Sequence, residues 1–426
     1  MPPRLLLLTH RRPTPPDRGD RIRSHAWLTG LSQYFEISLA CADAVKPSLE
    51  DQQVLDRHTA RHAHARIDPE RAQRQAVLSL VSGFIPGGIS GGTPGGGGGA
   101  GTPAAFFDRA LCQTLLDWDR AQPFDAVLTF CTGMAKYTHR LFADRSQRNL
   151  TPPRHVLDLV DVDSQKWARY AQHKSIPVHR RLAARLEAKR LTPYEAGRAV
   201  PFDHLVVTSP HEADLYTQHV TDQHQPIPID NGVDLARFPQ APPIHALPPD
   251  ARQTFLFTGV LDYPPNTAAV ERFAKHILPK IQAQHPGARF RIVGRHPPDA
   301  WRRQGLLSAL PGVDLIGPVD DIAAEHARAA VAIAPLRFAP GVQNKVLEAM
   351  AVGRAVVCSP GAAQGLDANP NEHLVTSESD DDFAAACITL LNNPEQSQAL
   401  GDAARHRIAD RYAWAPRIDR LAELLR

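Results

Sequence analysis

The chain has 426 residues, 43% of them hydrophobic and 22% charged, with a net charge of +3. That length exceeds what one core organises and predicts two or three domains of a globular protein. So small a basic balance, without a dense Lys/Arg tract, gives no footprint for nucleic acid, and no apolar run is long enough to cross a membrane.

In chain order, the pattern predicts a strand at 5–9, a helix from about 20 to 34 and a strand at 35–41. Helices follow at about 50–64 and 103–120, then a strand at 126–130, a helix from about 134 and a strand at 156–160. A long polar helix covers roughly 164–191, and a last strand lies at 205–208. Residues 87–101 are almost all glycine with Ser, Thr and Pro, read as a disordered insertion in this first domain. They are no phosphate loop, because no strand leads in and no Lys-Ser/Thr follows. The apolar run 5–8, with Arg11 and Arg12 just behind it, is strand-sized and is not a signal peptide. Of the five cysteines, Cys41, Cys131 and Cys358 fall in or beside strands; with Cys112 and Cys387 they form no metal spacing, as expected of reduced thiols in a cytoplasmic protein.

Asn231-Gly232-Val233-Asp234 and the proline-rich 239–249 read as a hinge or linker. They divide a first domain, 1–230, from a second, 231–410, with 411–426 a terminal helix that can cross back. The second half alternates: strand 254–259, helix near 267–284, strand 290–294, helix 300–309, strand 313–317, helix 322–329, strand 331–336, a helix carrying Glu348, and strand 355–359. This is the pattern of a doubly wound α/β domain with a parallel sheet. Two in tandem imply a cleft between them.

The helix after strand 331–336 is the leading site candidate. Its first turn, from Gly341 through Val342, Gln343 and Asn344, offers uncapped N–H groups and the positive end of the helix dipole to an anion. Lys345 adds a full charge. Glu348 follows on the same face among the apolar Val346, Leu347, Ala349 and Met350, where a carboxylate needs hydrogen-bond donors. A nucleoside diphosphate along the helix would supply phosphate at its start and ribose hydroxyls farther on. The plain alternative is an ordinary Lys345–Glu348 pair.

In the first half, Gly19 lies in the loop before a helix, where backbone can approach a ligand; the alternative is a turn with Asp20 as helix cap. Arg18, Arg21 and Arg23 either line the cleft or are solvated. Asp161 and Asp163 follow a strand and are read as catalytic or acceptor residues, against Asp163 or Ser164 merely capping the next helix. Their i, i+2 spacing would suit a cation, but no metal site is expected, and the 20 histidines show no HExxH-like spacing. His10, at the first strand end, is the more plainly structural residue.

Five ordered segments carry a resemblance: His10-Arg11-Arg12-Pro13-Thr14-Pro15-Pro16-Asp17-Arg18-Gly19-Asp20-Arg21-Ile22-Arg23-Ser24, Asp161-Val162-Asp163-Ser164-Gln165-Lys166-Trp167, Asn231-Gly232-Val233-Asp234, Asp262-Tyr263-Pro264-Pro265-Asn266, and the run from Gly341 to Met350. The chain resembles retaining GT-B-fold glycosyltransferases of the group 1 (family 4) type, most of all the sugar transferases of PEP-CTERM/exosortase and exopolysaccharide systems. The resemblance implies two Rossmann-like domains and metal-independent, retaining transfer from a nucleotide-diphosphate sugar to a glycan or lipid-linked acceptor, with no cofactor. Glu348 matches the second Glu of the family's Glu-x7-Glu motif, which holds the donor ribose. The first falls at Pro340 and is absent. The Arg and Lys that distant relatives carry after the first strand of the second domain are replaced by Asp262 to Asn266. Lys345 is then the best cation for the diphosphate, with Arg295 and Arg337 behind it, and Gly19 and Asn266 belong to the donor side. A nucleotide-sugar epimerase of the same fold, or a non-catalytic nucleotide-sugar-binding partner protein, are the rival readings. Finally, 178–198 carries Arg180, Arg181, Arg185, Lys189, Arg190 and Arg198 against Glu187 and Glu195, with Leu182 and Leu186 at i, i+4. That suits peripheral contact with an anionic membrane at the inner face of the cell membrane, unless both leucines pack into their own core.

Overall fold

A computed structural model describes residues 2–17, 19–43, 46–67, 100–172, 177–303, 305, 307, 309–337 and 342–426. They form two compact units, Met1–Asp230 with Ala415–Arg426, and Asn231–Trp414.

In the first unit the strands are β1 (Arg4–Thr9), β2 (Glu36–Asp43), β3 (Arg61–Arg66), β4 (Ala126–Phe130), β5 (Arg154–Val160), β6 (His204–Val207) and β7 (Ile227–Pro228). They form one sheet in the order β3-β2-β1-β4-β5-β6-β7, every neighbour parallel. The second unit holds β8 (Thr254–Thr258), β9 (Arg289–Val293), β10 (Val313–Gly317), β11 (Val331–Ala334), β12 (Ala355–Cys358) and β13 (Val375–Thr376), again parallel, in the order β10-β9-β8-β11-β12-β13. Helices cover such sheets on both faces, so their strands read as apolar runs; Leu5 to Leu8 and Phe255 to Phe257 are accordingly buried. Each sheet reverses its winding once, between β1 and β4 and between β8 and β11. Ligands of this architecture bind beyond the carboxyl ends of the strands at that reversal.

Several elements differ from the sequence reading. The helix expected over 50–64 ends at His58, and Arg61–Arg66 is the edge strand β3. Its alternating polar residues pair on one side only, which a buried-strand pattern does not capture. The long helix of 164–191 is two, Asp163–Gln172 and Val178–Glu195, with Pro177 as N-cap of the second. The helix over 103–120 divides at Asp108, whose carboxylate caps Leu111 N–H at 2.9 Å. The helix near 267–284 passes through a π-turn at Phe273–Ile277 just ahead of Pro279, which lacks the N–H that continues an α-ladder. The helix of 300–309 is found over Asp299–Arg303. A helix Pro210–His219 was missed although Ser209 caps it and Pro210 opens it.

Residues 87–99 of the glycine-rich stretch lie outside the described residues. Its last residues are not disordered: Ala100 and Gly101 are buried, and Gly101–Ala105 is a helix whose N–H groups at Gly101 and Thr102 donate to Glu187 at 2.6 and 2.7 Å. The terminal helix Trp414–Leu425 packs against the helix Gly19–Leu31. A Cβ at Gly30 would stand 2.3 Å from Ile418 Cδ1, so this close approach needs a glycine. The segment read as a hinge or linker is anchored as well, with Val233 N–H donating to Tyr412 O at 2.7 Å. Among the described residues no helix is long and apolar enough to cross a membrane.

Candidate active site

In the second unit the chain leaving β8 and the chain leaving β11 converge on the helix Asn344–Ala351. Gln343 is its N-cap, with no side-chain cap. The Gln343 carbonyl receives the N–H groups of Val346 and Leu347 at 2.9 and 3.3 Å. The N–H groups of Asn344 and Lys345 are left without intrahelical partners. Val346, Leu347, Ala349 and Met350 are buried, which leaves Lys345 and Glu348 on the half-buried side.

The ordinary pair between them does not form. Lys345 Nζ donates to Asn266 Oδ1 at 2.6 Å and lies 4.7 Å from the centroid of the Phe257 ring. Among the described residues the Glu348 carboxylate accepts no hydrogen bond, and it meets Lys345 and Arg237 only as charges. Burial lowers the Lys345 ammonium to about 7 and raises the Glu348 carboxyl to about 7, each partly opposed by the other's charge. The ammonium thus has a neutral hydrogen-bond partner, and among the described residues the carboxylate has none.

Glycines make the approach possible. A Cβ at Gly259 would meet Asn266 Nδ2 at 2.9 Å and Lys345 Cε at 3.5 Å, and one at Gly294 would overlap the Gly259 carbonyl at 1.8 Å. Sequence reading missed Phe257, Gly259 and Gly294; glycines closing β8 and β9 were the available signal. Val342 packs partly against the core, so only its backbone is available to a ligand. Asn344 Oδ1 accepts from Asn231 Nδ2 at 3.3 Å. Arg295 and Arg337 are exposed, Arg295 just past β9 with its carbonyl accepting Leu261 N–H at 2.8 Å. Gly341, Pro340 and Arg18 lie outside the described residues.

Beyond β1 in the first unit, Asp20 Oδ2 receives Arg11 at 2.5 Å and lies 3.1 Å from His10 Nε2. The His10 ring stacks on Phe130 at 5.8 Å, and burial keeps its pKa low against the pull of Asp20. Asp20 therefore lies inside the first turn, where its Oδ1 also accepts the Arg21 N–H at 3.1 Å, and Gly19 is the exposed first helical residue. Arg21 and Arg23 are not free in solvent but paired within the first unit. Arg21 pairs with Asp17 and Asp43 at 3.2 and 3.1 Å. Arg23 is fully buried, holding Asp158 at 2.8 Å and the Ile229 carbonyl at 2.7 Å, and Trp27 Nε1 joins the same carboxylate at 2.8 Å.

Beyond β5 the turn carrying Asp161 and Asp163 is strained and buttressed. Val160 has φ +68° and Cys131, beyond β4, φ +62°, values that L side chains seldom adopt. Glu212 receives Val162 N–H at 2.8 Å, Glu195 receives Ser164 N–H at 2.8 Å, and Thr132 donates to Asp163 Oδ2 at 2.6 Å. Asp163 begins the helix Asp163–Gln172, and Glu195, from another helix, serves its first turn; neither Asp163 nor Ser164 caps it. Burial raises the carboxyls of both, that of Glu195 to about 7. Glu195 and Glu212 escaped sequence reading because nothing local marks a carboxylate as the cap of a distant turn. Among the described residues no group of three His, Cys, Asp or Glu side chains is placed to hold a metal ion. On the basic helix Val178–Glu195, Leu182 is 67% and Val178 78% exposed, so Leu182 does not pack into the core, while Leu186 is half-buried.

Residues 252–393 match the family of group 1 glycosyl transferases. A phosphatidyl-myo-inositol mannosyltransferase of Mycolicibacterium smegmatis is 34% identical over 194 residues, 44% of this chain and 48% of the relative. The chain thus spans about half the length of that curated relative. Among solved structures, a sucrose-phosphate synthase of Thermosynechococcus elongatus superposes with a TM-score of 0.68 at 17% identity, over 100% of this chain and 98% of the other. HepE of Anabaena, solved in complex with UDP and glucose, gives 0.61 at 15% identity over 99% and 98%. The second unit thus matches the group 1 glycosyltransferases, and the chain has the GT-B fold of two Rossmann-like parallel-sheet units.

Proposed function

We propose that the protein transfers a sugar from a nucleotide-diphosphate sugar to a hydroxyl of a glycan or lipid-linked acceptor in exopolysaccharide or other cell-surface polysaccharide synthesis. The observation that carries this reading is the Lys345–Glu348 face, two adjacent charges on one helix that do not pair with each other at the winding reversal of the sheet. Lys345 and the free N–H groups of the first helical turn meet the diphosphate, and Glu348 accepts the ribose hydroxyls. Fixed positive charge at the departing diphosphate lowers the barrier by matching the charge that develops there. The donor reading is further supported by a neighbour of the same fold solved with UDP.

Transfer proceeds without a metal ion and with retention, the acceptor hydroxyl attacking on the face that the diphosphate leaves. Asp161 and Asp163 face the acceptor. The helix Val178–Glu195, with exposed Val178 and Leu182 beside Arg180, Arg185 and Lys189, rests on anionic lipid and supports a membrane-borne acceptor.

Thermal-shift screening against UDP-, GDP- and ADP-sugars identifies the donor, and turnover is then measured with acceptor in EDTA. Transfer is expected to persist, with an unchanged anomeric configuration in the product. Loss of turnover in EDTA, restored by Mn²⁺ or Mg²⁺, would overturn the metal-free step. A new nucleotide sugar formed without acceptor would instead identify an epimerase. Flotation with anionic vesicles should fail after Arg180, Arg181 and Arg185 are replaced by Glu, each contributing about 1 kcal/mol near such a surface. Equal recovery with neutral vesicles would remove the membrane contact.

A further inference from the structure

We propose that Asn266 is a positioning residue that aims the Lys345 ammonium at the donor diphosphate, and that it does not bind the donor itself. The inference rests on the donor reading given above and goes beyond it, because the side-chain amide is already committed at both ends. Asn266 Nδ2 donates to the Val260 carbonyl at 2.8 Å, and Asn266 Oδ1 accepts from Lys345 Nζ at 2.6 Å. These two contacts fix which end of the amide is which: only the NH₂ group can serve a carbonyl, and only the oxygen can receive an ammonium. The backbone is held too, with Asn266 N–H donating to the Tyr263 carbonyl at 2.9 Å, and the residue is buried.

The remaining surroundings of the ammonium are chosen in the same sense. The Phe257 ring lies under it, at 4.7 Å, and attracts positive charge without neutralising it. Among the described residues no carboxylate lies within ion-pair distance of Lys345. An Asp at 266 would reach the ammonium equally well and quench it; the neutral amide orients the charge and leaves it for an incoming anion. The segment Asp262 to Asn266 thus contributes a fixed acceptor that steers the cation of another helix, 79 residues along the chain.

The test is a double-mutant cycle read by calorimetry with UDP, GDP and ADP, using the matching nucleosides as controls. Lys345→Ala is expected to weaken the diphosphate that binds by tenfold or more. Asn266→Ala should weaken it by several-fold to tenfold, leave nucleoside binding unchanged, and add nothing when combined with Lys345→Ala, because the amide acts only through the ammonium. Asn266→Asp keeps the shape of the side chain and should weaken the diphosphate by as much or more, while the titration of Lys345, followed by its ¹³Cε signal, moves to higher pH. Thermal melts check that each variant is folded. Additive losses, a fall in nucleoside binding equal to that of the diphosphate, or an unmoved Lys345 titration in Asn266→Asp would overturn the positioning role. If Lys345→Ala leaves diphosphate binding unchanged, the donor site itself is misplaced, and the two failures are thereby told apart.

Discussion

Beyond β1 in the first unit, Asp20 is taken by Arg11 and His10, Arg21 by Asp17 and Asp43, and Arg23 by Asp158. Beyond β11 in the second unit, which is wound in the same order, Lys345 has a neutral partner and Glu348 accepts no hydrogen bond from a described residue. Charges in the first network answer one another and hold elements together. Charges in the second carry a desolvation cost that each offsets only in part for the other, the state that the proposed donor site calls for. At the winding reversals of two sheets of one topology, beyond β1 in one and β11 in the other, charged side chains of similar type differ in their state of pairing. Arg23 and Lys345 are both cations in helices at a winding reversal, yet the first is held by a carboxylate and the second by a neutral amide.

Breaking the structural side of the contrast should cost most. Asp158→Ala leaves the buried Arg23 guanidinium and the Trp27 N–H without their acceptor, and should destabilise the first unit by about 3–5 kcal/mol. Calorimetric melting is the measurement, and a loss below about 1 kcal/mol would mean the pair is not a structural tie. The functional side should respond in binding instead. Glu348→Ala should weaken nucleoside diphosphate binding tenfold or more, since charge-assisted hydrogen bonds contribute about 1.5–3 kcal/mol each, and its melting temperature should not fall. Unchanged affinity by titration calorimetry would remove Glu348 from the site.

A smaller effect concerns stability against pH. The Glu348 carboxyl is raised by burial from 4.5 to about 7, so between those values the folded protein holds a proton that the unfolded chain has lost, and stability falls as pH rises through that window. Lys345 is lowered from 10.5 to about 7, so above 7 the unfolded chain holds the extra proton and stability recovers towards pH 10. Glu348→Gln should therefore match the wild type near pH 4.5 and exceed it at pH 8, by on the order of 1 kcal/mol after allowance for solvent screening. Equal melting temperatures at pH 8 would show that the carboxylate has a partner after all. Least of all should Glu195→Gln matter near pH 5. There the folded carboxyl, raised to about 7, already carries its proton, and the amide keeps the oxygen that receives Ser164 N–H. A clear loss of stability at that pH would mean that Glu195 is ionised in the fold.

The sequence by itself determined what periodicity and helix register encode. Apolar runs such as Leu5 to Leu8 and Val331 to Ala334 declare buried parallel strands, because sheets covered on both faces favour apolar side chains throughout. The spacing of Lys345 and Glu348 puts both on one face of a helix that follows a strand, since these relations hold within a few residues of chain. Local breaks were legible only in part: Pro177, Asp108 and Pro279 each interrupt an apparent helix, and β3 lacks the apolar pattern that marks an interior strand. Tertiary structure alone decided which groups meet. That Lys345 turns to Asn266, that Arg23 is sunk against Asp158, and that Glu195 serves the turn at Ser164 are outcomes of topology. An isolated segment cannot state them, because the free energy of a charge depends on the partners and the burial that the whole fold brings to it.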